Sequence, residues 1–564
     1  MSSDFQVMGD NDAAPFTLKV HRGEGMALLA MNWRNGTPPP DFVGFAISYR
    51  EPNGDRDFVL PNRFGFDPAV TGKQPTTLAP IQKFRWVHFP RTADLDGDYR
   101  YTVTPVFMNP DGTLSYGEPQ RAAVELRRET HPGQLNVAFT RGFVSSQAFV
   151  DRFQDRGAIN TLLPTRADEG LGFNPTHQDA SEALTWMGFE ARKAILQVLD
   201  DAIADAGAQV KVIAYDINQP DILERLGPRL RVIIDDSAGH GRPESPESTA
   251  AERLRQSAGA ANVVRQHMGG LQHNKTIVVD SATTKTVVCG STNFTWRGFF
   301  VQNNNALVIH GQPAVDLATA AFESYLSNSD DVAGFAATPP AGTGSLGLAG
   351  IDAEIAFSPH ATNTALLDQI ADDIADGTTS SVLYSLAFLA QTKGTVRAAI
   401  KKVTEDDDLF VYGIADHRVN GIEINRPDGN PDPVFPAQLS GNVPPPFRVE
   451  PSGGSGVRLH HKFVVIDFDK PTARVYTGSY NFSDSADTEN GENLLLIRDR
   501  RVAVAYMIEA LRIFDHYHFR VTQKEADEMD EPLALKKPPA PGQPAWWDEY
   551  YTNRRKLRDR ELFA

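Results

Sequence analysis

The 564-residue chain contains a single cysteine, Cys289. One thiol cannot form an internal disulfide, so no cross-link holds the fold and no oxidising compartment is required. No apolar run approaches the roughly 18 residues that a membrane-crossing helix needs, which argues against a transmembrane segment. The start, MSSDFQVMGDNDAAPF, lacks a basic stretch followed by an apolar one, so a Sec-type signal peptide is not expected. The cytoplasm is the simplest compartment, and export by a route that reads no N-terminal signal stays open. Positive charge is also in deficit, with 55 Lys and Arg against 72 Asp and Glu and a formal charge of −17. Such a chain repels polyanions at long range, which weighs against nonspecific nucleic-acid binding. HExxH and CxxC are absent, and His267, His310, His360 and His417 lack metal-ligand spacing. No metal and no cofactor is expected.

What is present suffices for hydrophobic cores, with 41% apolar and 9% aromatic residues. The length implies more than one domain at about 100–200 residues each. Residues 1–130 read as strands separated by turns: FTLKV, MALLAMNW, GFAISYRE, FRWVHF, YRYTVTPVF and AAVELR. Alternation along YRYTVTPVF puts Tyr99, Tyr101, Val103, Pro105 and Phe107 on one face. With Trp33 as core aromatic, this pattern resembles a fibronectin type III or immunoglobulin-like sandwich, a module that binds or spaces.

RETHPG, Arg128 to Gly133, marks a hinge. From 135 to 336 helical patterns such as ALTWMGFEARKAILQVLDDAIADA alternate with strands such as QVKVIAYD and RLRVIIDD. A Pro/Gly-rich connector, ATPPAGTGSLGLAG, follows, and from 351 to 525 the same order of elements repeats. The expected fold is therefore α/β, two duplicated halves forming one pseudo-twofold unit behind an all-β sandwich. Each half has a polar loop ahead of its motif, Ser237–Ser248 in one and about 417–456 in the other, with a lid or substrate loop and a disordered insertion as equal alternatives. His417, at the mouth of the second loop, is a candidate substrate contact. The tail, 526–564, carries Trp546, Trp547, Tyr550 and Tyr551 beside basic residues. These rings could grip a membrane interface, and docking onto the protein's own surface is the favoured reading.

The chemistry is concentrated in two stretches, LQHNKTIVVD and RLHHKFVVID. Both contain His-x-Lys, four residues, then Asp: His273, Lys275, Asp280 and His460, Lys462, Asp467. On a strand the histidine and lysine share a face, and His461 points the opposite way. Each stretch turns into a second strand ending in Gly-Ser-x-Asn-Phe, which supplies Ser291 with Asn293 and Ser479 with Asn481. One such motif is weak, whereas two in equivalent places of repeated halves are strong. Imidazole can be nucleophile or proton carrier near neutral pH, while lysine and asparagine donate to phosphoryl oxygens. Cys289 reads as a buried small hydrophobe.

These motifs resemble those of the phospholipase D superfamily, over roughly residues 135–525. The resemblance implies one metal-independent active site across the two halves, in which one histidine forms a phosphohistidine and the other protonates the leaving alcohol. It implies that Lys275, Lys462, Asn293, Asn481, Ser291 and Ser479 bind the phosphate. Asp280 and Asp467 belong to the motif set, and their odd spacing from the histidines points to a structural role. Eleven residues after Asn481 stands Glu492, and the matching position in the first half holds Asn304; family members commonly use this position to orient a catalytic histidine. A carboxylate favours imidazolium, so the expectation is Glu492 behind His460 as general acid, with His273 as nucleophile. The amide at 304 is similar to the pattern of tyrosyl-DNA phosphodiesterase. The expected substrate is a phospholipid at a membrane surface. A DNA or RNA phosphodiesterase is the alternative, and a non-catalytic binding protein on the same fold a second one. Cardiolipin synthase is disfavoured by the missing membrane spans.

Overall fold

β-Branched and aromatic residues at alternate positions build two antiparallel sheets between Gln6 and Glu125. One is ordered Gln6–Met8, Phe16–Arg22, Ala27–Trp33, Arg85–His88; the other Leu114–Tyr116, Asp98–Met108, Phe42–Arg50, Asp57–Val59, with Gln120–Glu125 also on Asp98–Met108. The computed structural model describes residues 4–564 apart from 71, 165–166, 393, 417–418, 420–421, 423–458 and 530–532. His417 and nearly all of the expected 417–456 loop thus lie outside the described residues.

Phe16, Phe42, Phe45, Tyr99, Tyr101 and Val103 fill a core shared by the two sheets. Trp33, expected at the centre of that core, is only partly buried and packs on its margin against Phe42. The indole at the centre is Trp546, from the tail. Its Nε1 donates to the Phe42 carbonyl at 3.0 Å and its ring lies 5.6 Å from Phe42 and 5.5 Å from Phe84. The expected face of Asp98–Met108 holds to Pro105 and then fails. A register shift opposite Phe42 and Gly44 buries Val106 and leaves Phe107 partly exposed. Among the described residues, chain contacts group those up to 128 with those from 504 on, and those of 129–422 with those of 459–503. The unit boundary therefore falls near residue 504, inside the helix Arg500–Met529, and not at 525.

The second unit contains two seven-stranded mixed sheets. The first runs Leu135–Phe139, Asn305–His310, Lys285–Gly290, Lys275–Asp280, Gln209–Ala214, Leu230–Ile234, Val263–Arg265. The second runs Gly344–Ser345, Asp352–Ser358, Glu492–Arg498, Arg474–Gly478, Lys462–Ile466, Ser381–Leu386, Phe410–Ile414. From Leu135–Phe139 and Asp352–Ser358 onward, six strands follow in the same order, with the same parallel and antiparallel neighbours. Helices such as Ala180–Ala204 and Gln312–Ser327 bury apolar stripes between these strands. Two short parallel bridges, Gln272 to Gly491 and Asn303 to Leu459, join the sheets beside the motif histidines.

Candidate active site

His273 and Lys275 enter at the start of the strand Lys275–Asp280, as His460 and Lys462 do at Lys462–Ile466. The two imidazoles face each other with ring centroids 6.2 Å apart, both nearly fully buried. Each is held at Nδ1. His273 Nδ1 donates to Glu492 Oε2 at 2.7 Å, and His460 Nδ1 donates to Asn304 Oδ1 at 2.8 Å, with the Ser291 carbonyl at 3.1 Å. Neither Nε2 is hydrogen-bonded to another described residue, so both are open to a ligand.

The pairing corrects the expectation that Glu492 stands behind His460. Glu492 serves His273 and Asn304 serves His460, because the partners cross from one sheet to the other. The cause is the bridge register. Gln272 pairs with Gly491, so the next residues, His273 and Glu492, meet; Asn303 pairs with Leu459, so Asn304 and His460 meet. The Gly491 N–H to Leu271 O bond (2.8 Å) and the His460 N–H to Asn303 O bond (3.0 Å) fix that register.

Lys275 and Lys462 are buried beside the rings, and each ammonium donates to the carbonyl of its own motif histidine. Lys275 Nζ also sits 4.8 Å from the Tyr215 ring centroid, and Lys462 Nζ 5.5 Å from that of Phe388. Burial lowers both lysines, Lys275 to about 7, because an ammonium loses its hydration there. Burial and then the two lysines push both histidines well below their ordinary value. Burial raises Glu492 to about 7, with Lys275 acting against it. This is a desolvated cluster in which basic groups outnumber the one carboxylate between the sheets, and an incoming anion would restore the charge that burial takes from the lysines.

Asn293 and Asn481 are set by the turns after the motif hairpins. Thr295 caps the helix Trp296–Phe300 by accepting from Gly298 N at 3.0 Å, and Ser483 caps Asp484–Thr488 by accepting from Ala486 N at 3.2 Å. Asn293 Nδ2 donates to Asp216 Oδ2 at 3.0 Å, which leaves its second hydrogen for a ligand. Ser291 and Ser479 depart from the expected phosphate-binding role. Ser291 Oγ donates to Asn304 Oδ1 at 3.0 Å and accepts from Asn305 N at 3.0 Å, while Ser479 Oγ accepts from Asn493 N at 2.9 Å. The tight turn into the returning strand spends these hydroxyls on holding residues 304–305 and 493.

Asp280 and Asp467 lie at the far ends of their strands, away from the rings. Asp280 pairs with Lys285 across its hairpin. Asp467 is fully buried and accepts from the N–H groups of Thr379 (3.0 Å), Ser380 (2.7 Å) and Ser381 (3.1 Å). Their partners are Lys285 and the 379–381 backbone and not the histidines, which departs from the place expected for them in the catalytic set. His461 packs against Phe139 and Phe463. Cys289 is buried, which pushes its thiol up to about 12.

Residues that the sequence reading missed form a second layer. Tyr215 packs edge-on against His273 at 4.6 Å and tilted against His240 at 4.6 Å, and Phe388 lies 6.5 Å from His460. Tyr215 follows the strand Gln209–Ala214 and Phe388 follows Ser381–Leu386, the matching strands of the two sheets. They stand one and two residues past those strand ends, so an aromatic close behind each matching strand was the available signal.

Residues 185–326 and 446–514 match a family model described as cardiolipin synthase, PLD-like domain. A phospholipase D of Rickettsia prowazekii (strain Madrid E) is 48% identical over 48 residues, 8% of this chain and 22% of that protein. The chain thus spans about a fifth (22%) of that curated relative's length. Among solved structures, the phosphatidylserine synthase of Haemophilus influenzae Rd KW20 is similar over 61% of this chain and 93% of its own, at 15% identity and TM-score 0.40. The phospholipase D family member Nuc of Salmonella typhimurium is similar over 24% of this chain and 86% of its own, at 25% identity and TM-score 0.20.

Proposed function

We propose that this chain, which carries a phospholipase D-like domain, cleaves or transfers phosphodiesters through a covalent phosphohistidine, with a phospholipid as substrate. The observation that carries the reading is the histidine pair. Two imidazoles lie with ring centroids 6.2 Å apart, each anchored at Nδ1 from the other sheet and neither hydrogen-bonded at Nε2 to another described residue.

In the first step His273 Nε2 bonds to phosphorus, and the bond from phosphorus to the leaving oxygen breaks as that oxygen takes the Nε2 proton of His460. Phosphorylation leaves His273 cationic for the life of the intermediate, with its Nδ1–H on the Glu492 carboxylate at 2.7 Å. A carboxylate contributes most at the ring that must stay charged. His460 gives up its charge in the first step and regains it in the second, and the Asn304 carbonyl accepts its Nδ1–H in either state. In the second step a water or alcohol gives its proton to His460 Nε2 as its oxygen bonds to phosphorus, and the phosphorus–nitrogen bond breaks. Lys275, Lys462, Asn293 and Asn481 donate to the phosphoryl oxygens as their charge shifts.

The two matched strand orders support a duplication that gave two halves around one site. The two N-terminal sheets on one core support a fibronectin- or immunoglobulin-like module. No helix among the described residues is long and apolar enough to cross a membrane. The lipid would then be reached at a surface.

A second reading, a nuclease or nucleic-acid end-processing phosphodiesterase, is favoured by the amide at Asn304. Pure protein is incubated with phosphatidylcholine vesicles and, in parallel, with labelled single- and double-stranded DNA and RNA. Lipid turnover that is lost in His273→Ala is expected, and nucleic-acid cleavage alone would replace the first reading by the second. Normal biological activity in His273→Ala would favour a binding protein instead. Rapid quenching with labelled substrate should place the phosphoryl label on His273, and label on His460 would reverse the two roles.

A further inference from the structure

We infer that Asp216, His240 and Glu247 form a binding site for one first-row divalent cation, Zn²⁺ or Mn²⁺, in the layer behind the histidine pair. Asp216 follows the strand Gln209–Ala214, His240 lies in the turn after Leu230–Ile234, and Glu247 opens the helix Pro246–Ala258. One oxygen or nitrogen from each lies within 4.8 Å of the others. The inference stands apart from the phosphodiesterase reading, because none of the three is placed on the phosphate.

Glu247 is the observation that asks for a ligand. It is only 3% exposed, and its carboxylate hydrogen-bonds no other described residue. The donor in its reach is its own backbone N–H, and a buried carboxylate with so little support is costly. A cation between Glu247 and its neighbours removes that cost. Because no hydrogen bond to another residue pins the side chain, a small rotation can bring its carboxylate onto an ion held by Asp216 and His240.

The other two ligands are already spaced for an ion. His240 Nε2 lies 3.0 Å from Asp216 Oδ1, the separation of two adjacent ligands bonded at about 2.1 Å and about a right angle apart. The proton now between them passes to solvent as the ion enters. On its far side, His240 Nδ1 donates to Asp235 Oδ2 at 2.8 Å. Asp235 is itself held by Ser237 N (3.1 Å) and Ser237 Oγ (2.6 Å). A ligating histidine backed by a hydrogen-bonded carboxylate is the usual second layer of a metal site. The set of one imidazole and two carboxylates suits Zn²⁺ or Mn²⁺ over Mg²⁺ or Ca²⁺.

The ion would act on the site from behind. Asp216 can bind it through Oδ1 and keep Oδ2 on the Asn293 amide, and Asp235 Oδ1 accepts from Gln272 N at 2.7 Å, next to His273. Asp216, His240 and Glu247 come from three separate segments, so the ion would tie the 237–245 turn to both motif elements.

The test uses the full-length, tag-free chain, stripped with EDTA and then dialysed. Calorimetric titration with ZnCl₂, MnCl₂ and MgCl₂ should show one equivalent of Zn²⁺ or Mn²⁺ bound, at least tenfold tighter than Mg²⁺. Glu247→Gln and His240→Gln should each weaken binding at least tenfold and abolish the rise in Tm that the ion gives the unmodified protein. Because a variant could fail to fold, crystals of the unmodified protein soaked in MnCl₂ or ZnCl₂ supply a second measurement. An anomalous peak within bonding distance of all three side chains is expected. Absence of stoichiometric binding, binding that both folded variants retain, or a peak elsewhere would each overturn the inference. Loss of phosphodiesterase activity with ion binding intact would count against the proposed function alone.

Discussion

His273 and His460 are equally buried and differ in one acceptor, a carboxylate oxygen for the first and an amide oxygen for the second. That difference shapes the pH dependence. Glu492, raised to about 7 chiefly by burial, loses its charge as pH falls through that value, which removes support for a cationic His273. Lys275, lowered to about 7 by burial, loses its charge as pH rises through the same value, which removes a phosphate donor. The kcat/KM profile on a phosphodiester should therefore be a bell with its maximum near neutrality. Glu492→Gln should flatten the acid limb and lower kcat by about 10²-fold, in line with loss of one charge-stabilising group. An acid limb that survives in Glu492→Gln would assign it to another group.

At the scale of elements, the second strand of each motif hairpin, Lys285–Gly290 or Arg474–Gly478, leads through a glycine in the left-handed region into its serine turn. Gly290 has φ +128° and Gly478 φ +140°, and a Cβ on Gly478 would lie 2.2 Å from the Asn493 carbonyl oxygen. Gly-Ser-x-Asn was legible as a repeated polar set, but the local pattern did not reveal that the hydroxyl turns inward. That outcome depends on the neighbouring strand, Asn305–His310 or Glu492–Arg498, offering N–H and amide groups at that point. The odd spacing of the aspartates did show that they leave the site. Asp467, which gathers three backbone N–H groups from 379–381, is the stronger of the two structurally. Asp467→Ala should lower stability by about 3 kcal/mol in urea unfolding, since several buried donors lose a charged acceptor at once. The Michaelis constant of the protein that remains folded should change little.

Across the whole molecule, the tail shows how remote sequence completes a core. Trp546 and Trp547 are buried among residues of the N-terminal sheets, and Arg85 pairs with both Asp515 and Asp559. The rings are thus committed to the protein's own core and are not a free membrane grip. Trp546→Ala removes a buried indole and its hydrogen bond to Phe42, and should cost about 3–5 kcal/mol in the unfolding of that unit. Near-UV circular dichroism of the aromatic cluster during urea unfolding would follow it. A change under about 1 kcal/mol would mean that the tail contributes little to that core.

By itself the sequence determined which residues share a strand face, that His273 goes with Lys275 and His460 with Lys462, and that two such sets recur. Those are consequences of a period of two along an extended chain, which needs no knowledge of neighbours. Tertiary structure alone decided which acceptor stands behind which histidine, because Gln272 meets Gly491 and Asn303 meets Leu459 only once the sheets pair. It also decided that Asp216, His240 and Glu247 converge, and that a distant tryptophan fills the first core. Contacts between residues far apart in the chain follow from register and packing, and no local spacing encodes them.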